Sequence, residues 1–202
     1  MPQRDRAATL SEVMELRREQ QVVLEAYDFL DEKRLLLAAE LLRQMKHYEQ
    51  LRQHYDISRE QAELALLQCV KRHGLQGTEV YPADYLEDAR VELDRLPFIG
   101  ITLTQTRLLL SQRDYQKAQN HLSPEAEHCT EVFTRLVHQA CVLAGVSGNL
   151  YRLMQEYSRT ERRARALENV IIPEMKQGLR ELLGALEEQE QEEIVRAHFY
   201  RN

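Results

Sequence analysis

SRTERRARALENVIIPEM, residues Ser158 to Met175, is the stretch that decides how the chain folds. It joins a basic cluster (Arg159, Arg162, Arg163, Arg165) to an apolar run (Val170, Ile171, Ile172) and then to Pro173, all within a sequence that otherwise reads as helix. A proline inside a helix costs about 3 kcal/mol and leaves a carbonyl one turn back without its donor. A helix that keeps one needs stabilisation from outside itself. Upstream, Ser123-Pro124-Glu125 supplies an N-cap, a proline at the first helical position and an acid in the first turn. The helical pattern then runs from Glu125 to about Phe199, with seam candidates Leu136, Ala140, Leu143, Leu150, Leu153, Tyr157, Ala164, Leu167, Ile171, Met175, Gly178, Leu182 and Leu186. Unbroken, such a helix would be about 110 Å long. Gly145, Gly148 and Pro173 are the places for a bend, and Gly145-Val-Ser-Gly148 reads as a close helix contact or a bend.

The N-terminal end carries a matching pattern. Thr9 and Glu12 form a capping-box pair. Val13, Leu16, Val23, Tyr27, Leu30, Leu37, Leu41, Met45, Tyr48, Leu51 and Tyr55 then recur in steps of three and four, with Gln20 and Arg34 in two seam positions. No glycine or proline interrupts Leu10 to Tyr55, which predicts a helix of about 70 Å seeking a coiled-coil partner. Ser58 with Gln61 reads as a second helix start and Gly74 with Gly77 as its end, although this helix could equally continue the first after a bend near Asp56.

Residues 75 to 122 differ. Ala89–Leu93 and Phe98–Leu103 have the composition of short strands, with Asp94 to Pro97 as the turn between them. The expected fold is therefore mainly α: an antiparallel two-helix coiled coil of the N- and C-terminal helices, capped at one end by a small helical and β-hairpin insert. The expected divisions are residues 1–57, 58–122 and 123–202. Ala164 and Gly178 are small seam residues expected to let the helices approach closely near Pro173.

Composition narrows the function. The 202 residues include 27 Lys+Arg and 33 Asp+Glu, a net charge of −6, which argues against a nucleic-acid binder. Cys69, Cys129 and Cys141 are odd in number and form no CxxC pair, which argues against a disulfide framework and for a reducing compartment. No apolar run approaches the roughly 20 residues of a membrane span. Phosphate-cradling glycine motifs, HExxH and a Ser-His-acid arrangement are absent, so neither a catalytic site nor a cofactor is expected. His128, Cys129, His138 and Cys141 are ligand types, but ten residues along one helix separate His128 from His138 by about 15 Å, too far for one metal. The acidic run from Glu187 to Glu193 reads as a solvated face. Arg162 and Arg163 lie about 100° apart around a helix, so the basic cluster belts it, as suits a helix with protein around it.

The block Thr160-Glu-Arg-Arg-Ala-Arg-Ala-Leu-Glu168, followed by Asn169-Val-Ile-Ile-Pro173, resembles the KRRVNALE and VIIP motifs of the D subunit of V-type and A-type rotary ATPases. Phe29 to Leu37 resembles that family's LLKDKRDEL, and Gln189 to Arg196 its EREEFFRLK-like tail. The resemblance spans essentially the whole chain and implies a non-catalytic central rotor axle. Its implied partners are the catalytic A and B subunits of the hexameric head, the small F subunit of the central stalk, and the connecting C/d subunit above the membrane ring. It also implies a cytoplasmic location peripheral to the membrane, with no membrane insertion, and torque passing between ATP turnover and ion translocation. Expected contact residues are Lys33, Arg34, Arg159, Arg162, Arg163, Arg165, Glu168, Pro173, Glu192 and Glu193 on the helices, and Val91, Leu93, Phe98, Ile99 and Ile101 in the insert. Periodicity alone also fits a cytosolic coiled-coil scaffold unconnected to a motor. A four-helix enzyme with a core metal would need paired ExxH motifs, which are absent.

Overall fold

A computed structural model describes residues 9–78, 89–110 and 123–200. Helix α1 runs Leu10–Thr78, strands β1 and β2 run Arg90–Phe98 and Ile101–Leu109, and helix α2 runs Pro124–Ala166. A single π turn, Leu167–Ile171, leads into helix α3, Ile172–Phe199. The architecture is mainly α, with long N- and C-terminal helices and one small antiparallel hairpin between them, as the periodicity predicts. No helix among the described residues is long and apolar enough to cross a membrane. The chain divides into one compact unit of residues 1–36 and 157–202, and a second of residues 37–156.

In the second unit the helices are antiparallel, because successive neighbours run in opposite directions. Leu51 shares a cleft with His138, Gln139 and Val142. Further along α1, Gln61, Leu64, Ala65 and Gln68 share one with His128, Val132 and Arg135, and Arg72 reaches Glu125 at 2.6 Å. Leu37 and Leu153 are completely buried, and Ala62, Ala65, Cys69, Ala126 and Val132 continue the core. The reading of Ser58 as a new helix start is not what forms: Ser58 is buried within continuous α1. The interruption falls instead at Gly74, whose φ of 72° only glycine adopts readily, and helix resumes to Thr78. Ser123 does cap α2, accepting the Ala126 N–H on Oγ, and Thr9 likewise accepts the Glu12 N–H at the start of α1.

Met45 is exposed, whereas the heptad walk placed it in the seam. Glu40 and Gln44 are buried in its stead. Two successive steps of four, Leu37 to Leu41 to Met45, turn about 80° away from Leu37, whereas Glu40 and Gln44, three and seven residues on, stay within about 60° and 20° of it. Arg43 grips both Glu40 carboxylate oxygens (2.6 and 2.7 Å) and Gln44 donates to one of them (2.8 Å). The Arg43 hydrogen bonds hold the Glu40 carboxyl below its ordinary range against the opposing effect of burial.

The hairpin pairs Phe98 with Ile101 and continues to Arg90 with Leu109. Its turn is Ile99-Gly100, both at positive φ (42° and 85°), and not Asp94–Pro97, which lies within β1. Gly100 supplies the backbone freedom that a two-residue hairpin turn requires. Phe98 and Ile101 close the turn as a hydrogen-bonded pair, so Pro97 opposite Thr102 falls at a position that contributes no ladder bond. The missing proline N–H is therefore harmless there.

The same alternation turns the N–H and C=O of Thr104 away from β1. They are taken up by the buried side-chain amide of Asn149 on α2, which accepts from Thr104 N–H and donates to Thr104 C=O, both at 2.8 Å. Arg152 donates to Thr104 Oγ1 (2.6 Å) and Asn149 Oδ1 (2.7 Å). Thr106 Oγ1 donates to the Cys141 carbonyl at 2.8 Å. Gly145 makes room for this docking: a Cβ there would stand 2.4 Å from Thr106 Oγ1. The close approach at Gly145 is to a strand of the hairpin, not to a helix as the sequence reading has it, and α2 runs on through it without a break.

In the first unit, Val13, Leu16, Thr160, Ala164 and Ile172 are buried. Gly178 faces Leu16, but a Cβ on it would lie 3.9 Å from Leu16 Cδ2, an ordinary contact. Close approach therefore does not require glycine at that position. Gly178→Ala is expected to raise the stability of the isolated chain by about 1 kcal/mol through helix propensity. Gly178→Leu, whose added atoms exceed that space, should lower it by about 1–3 kcal/mol. Urea unfolding followed by circular dichroism reads both.

Candidate functional site

Two exposed surfaces carry the residues singled out by sequence, one in each unit. The first surrounds Pro173. In an unbroken α-helix the proline ring would strike the Asn169 carbonyl and offer it no N–H. The turn before it is widened instead: Ile172 N–H bonds to the Leu167 carbonyl, five residues back, and none of Leu167–Ile171 is buried. The extra residue changes the seam. Ile171 is 36% exposed, whereas Ile172 is 8% exposed and follows Ala164 by eight positions. The heptad walk, which kept Ile171 inside, fails at this turn because a wider turn was not anticipated.

Around it, Arg159, Arg162, Arg163, Arg165, Glu168 and Pro173 are all exposed. Arg165 is engaged by Glu161 at 2.6 Å, and Arg162 Nε donates to the Ser158 carbonyl at 3.2 Å. On α1, Arg34 is half-buried and paired with Asp31 at 2.5 Å, and Lys33 is half-buried beside it. Towards the end of α3, Glu192 pairs with Arg196 at 3.3 Å and Glu193 is exposed. The large apolar side chains Ile194, Val195, Phe199 and Tyr200 are exposed there as well. Sequence reasoning passed over these four, although their clustering was visible in it.

The second surface is the hairpin. Val91 and Leu93 are exposed on β1, whereas Phe98, Ile99 and Ile101 are half-buried around the turn. Leu96 and Leu109 add exposed apolar area that the sequence reading did not include.

Among the described residues no three His, Cys, Asp or Glu side chains gather where they could hold a metal ion. Cys141 contributes its backbone carbonyl to the hairpin contact, and His138 lines the cleft beside Leu51. Burial pushes the Cys129 thiol above its ordinary range, away from the thiolate that metal binding or nucleophilic chemistry requires. What both surfaces offer is apolar and charged contact area on ordered secondary structure, which suits recognition of protein.

The sequence profile of the ATP synthase D subunit matches residues 12–202. The V-type ATP synthase D subunit of Thermotoga neapolitana is 23% identical over 190 residues, covering 94% of each chain. The second V-type ATP synthase D subunit of Treponema pallidum is 25% identical over 186 residues, 92% of this chain and 89% of its own. With nearly its whole length matched, and with the long helices and hairpin described above, the chain belongs to the ATP synthase D-subunit family.

Proposed function

We propose that the chain is the non-catalytic central axle of a V-type ATP synthase, passing torque between the catalytic head and the ion-translocating membrane ring. The observation that carries this reading is the antiparallel pairing of α1 with α2 in the second unit, in a chain matched from residue 12 to residue 202 by the D-subunit profile. Two helices joined along an apolar seam resist twisting better than one, because rotation of either must break packing along its length. An axle also needs a surface that differs around its circumference. Rotation can then present each surrounding catalytic subunit with a different contact and bias its nucleotide affinity in turn.

In this reading the basic belt Arg159, Arg162, Arg163 and Arg165, together with Lys33, Arg34, Glu168 and Pro173, faces the catalytic A and B subunits, as do Glu192 and Glu193. The hairpin residues Val91, Leu93, Phe98, Ile99 and Ile101 face the small F subunit, and the C/d subunit joins the axle to the membrane ring. The chain works in the cytoplasm, peripheral to the membrane.

The test is to assemble the chain with the catalytic head and follow a probe fixed to the exposed side of β1. ATP-dependent, unidirectional rotation is expected. An assembled head that hydrolyses ATP while the probe stays still would refute the axle role.

A further inference from the structure

The π turn leaves two β-branched apolar side chains on the surface, directly below the arginines. Val170 is 48% exposed and Ile171 36%. An α turn of 3.6 residues followed by a π turn nearly one residue wider makes about eight. Burial verifies that spacing on the inner face, where Ala164 and Ile172, eight apart, are both in the seam. The same spacing relates Arg162 to Val170 and Arg163 to Ile171 on the outer face. Two columns result, in each of which the Cα of the arginine and that of the exposed aliphatic residue are about 11 Å apart along the axis. The Arg162 side chain folds back to the Ser158 carbonyl.

We infer that Val170 and Ile171 are the apolar anchor of the contact with the catalytic head, seated in an apolar pocket whose carboxylate rim meets Arg162 and Arg163. The inference rests on the axle reading above and adds to it the chemistry of the contact. Charge selects the occupant. Four arginines against three glutamates, one of which pairs with Arg165, make the stretch from Ser158 to Met175 net +1 in a chain whose net charge is −6, so an acidic partner surface is better matched here than to the rest of the chain. The apolar pair supplies what charge alone does not. Loss of contacts buried at the centre of an interface mainly speeds dissociation, whereas peripheral charges mainly speed encounter. π turns also concentrate at functional positions, and this one buries none of its own residues.

The experiment measures binding of the full chain to the assembled catalytic head by surface-immobilised kinetics. The variant Val170→Ser/Ile171→Ser is expected to bind at least tenfold more weakly, through faster dissociation and with a loss that persists at high salt. Arg162→Ala/Arg163→Ala should lose affinity mainly at low salt. The thermal midpoint of the isolated serine variant should match wild type, because both sites are exposed. If it does not, Val170→Ala/Ile171→Ala, which keeps helix propensity, gives the same reading. Unchanged affinity of the aliphatic variants would overturn the anchor while leaving the axle role intact. Failure of the wild-type chain to bind the head would overturn both.

Discussion

Replacing Asn149 with leucine is expected to lower the unfolding free energy by about 2–4 kcal/mol and to free the hairpin from α2. The amide of Asn149 does for the outer edge of β2 what a third strand would do, accepting from Thr104 N–H and donating to Thr104 C=O. Asn149 is only 5% exposed, so its removal leaves two backbone groups poorly placed to find water. Each such group costs roughly 1–3 kcal/mol. Arg152 loses an acceptor at the same time. Asn149→Asp separates the parts: it keeps the acceptor for Thr104 N–H and Arg152 but replaces the donor to Thr104 C=O with a second acceptor. Its cost should be about half that of leucine. Amide exchange at Thr104 should accelerate strongly in the leucine variant and less in the aspartate variant. If exchange there is unchanged in both, Asn149 does not hold the hairpin.

That contact was invisible in the sequence for a physical reason. A side-chain amide capping a strand 45 residues away leaves no local pattern, and Asn149 sits in a helical run where it reads as a neutral surface residue. The helices themselves were legible because their burial is periodic. Val13, Leu16, Leu153 and Ala164 are where the steps of three and four placed them. Errors came where something reset the period. At Met45 two consecutive steps of four left the inward face, which runs from Leu37 through Glu40 and Gln44, polar residues that a hydrophobic count passes over. At Ile171 the cause was the wider turn, whose residue-level trace is Pro173 alone. The hairpin was found but its turn misplaced. Asp94 and Pro97 are conventional turn residues, whereas a β-branched residue at positive φ, as at Ile99, runs against steric preference. The exposed arginines at Arg162 and Arg163 were legible as a belt, but their alignment with Val170 and Ile171 depended on the wider turn.

A second large effect is expected from single-residue deletions in the returning helix, and it depends on where the residue is removed. Deleting Gln177 rotates everything after it by about 100°. Leu179, Leu182 and Leu186, each half-buried, then leave the seam. Burying such a side chain fully is worth about 1.5–3 kcal/mol, so three half-buried ones together make a loss of about 3 kcal/mol. Deleting Asn169 should behave in the opposite way, provided Pro173→Ala removes the ring at the same time. Ala164 and Ile172 are then seven apart, which fits two ordinary α turns, and the π turn has no extra residue to hold. This variant should be at least as stable as wild type, because an internal proline costing about 3 kcal/mol has gone. Its outer columns also survive, since seven residues again bring Arg162 over Val170 and Arg163 over Ile171. Its affinity for the catalytic head should therefore stay near wild type, whereas Val170→Ser/Ile171→Ser loses it. Urea midpoints of the two deletions, compared side by side, decide the point: equal losses would mean that the π turn is not the place where the seam absorbs its extra residue.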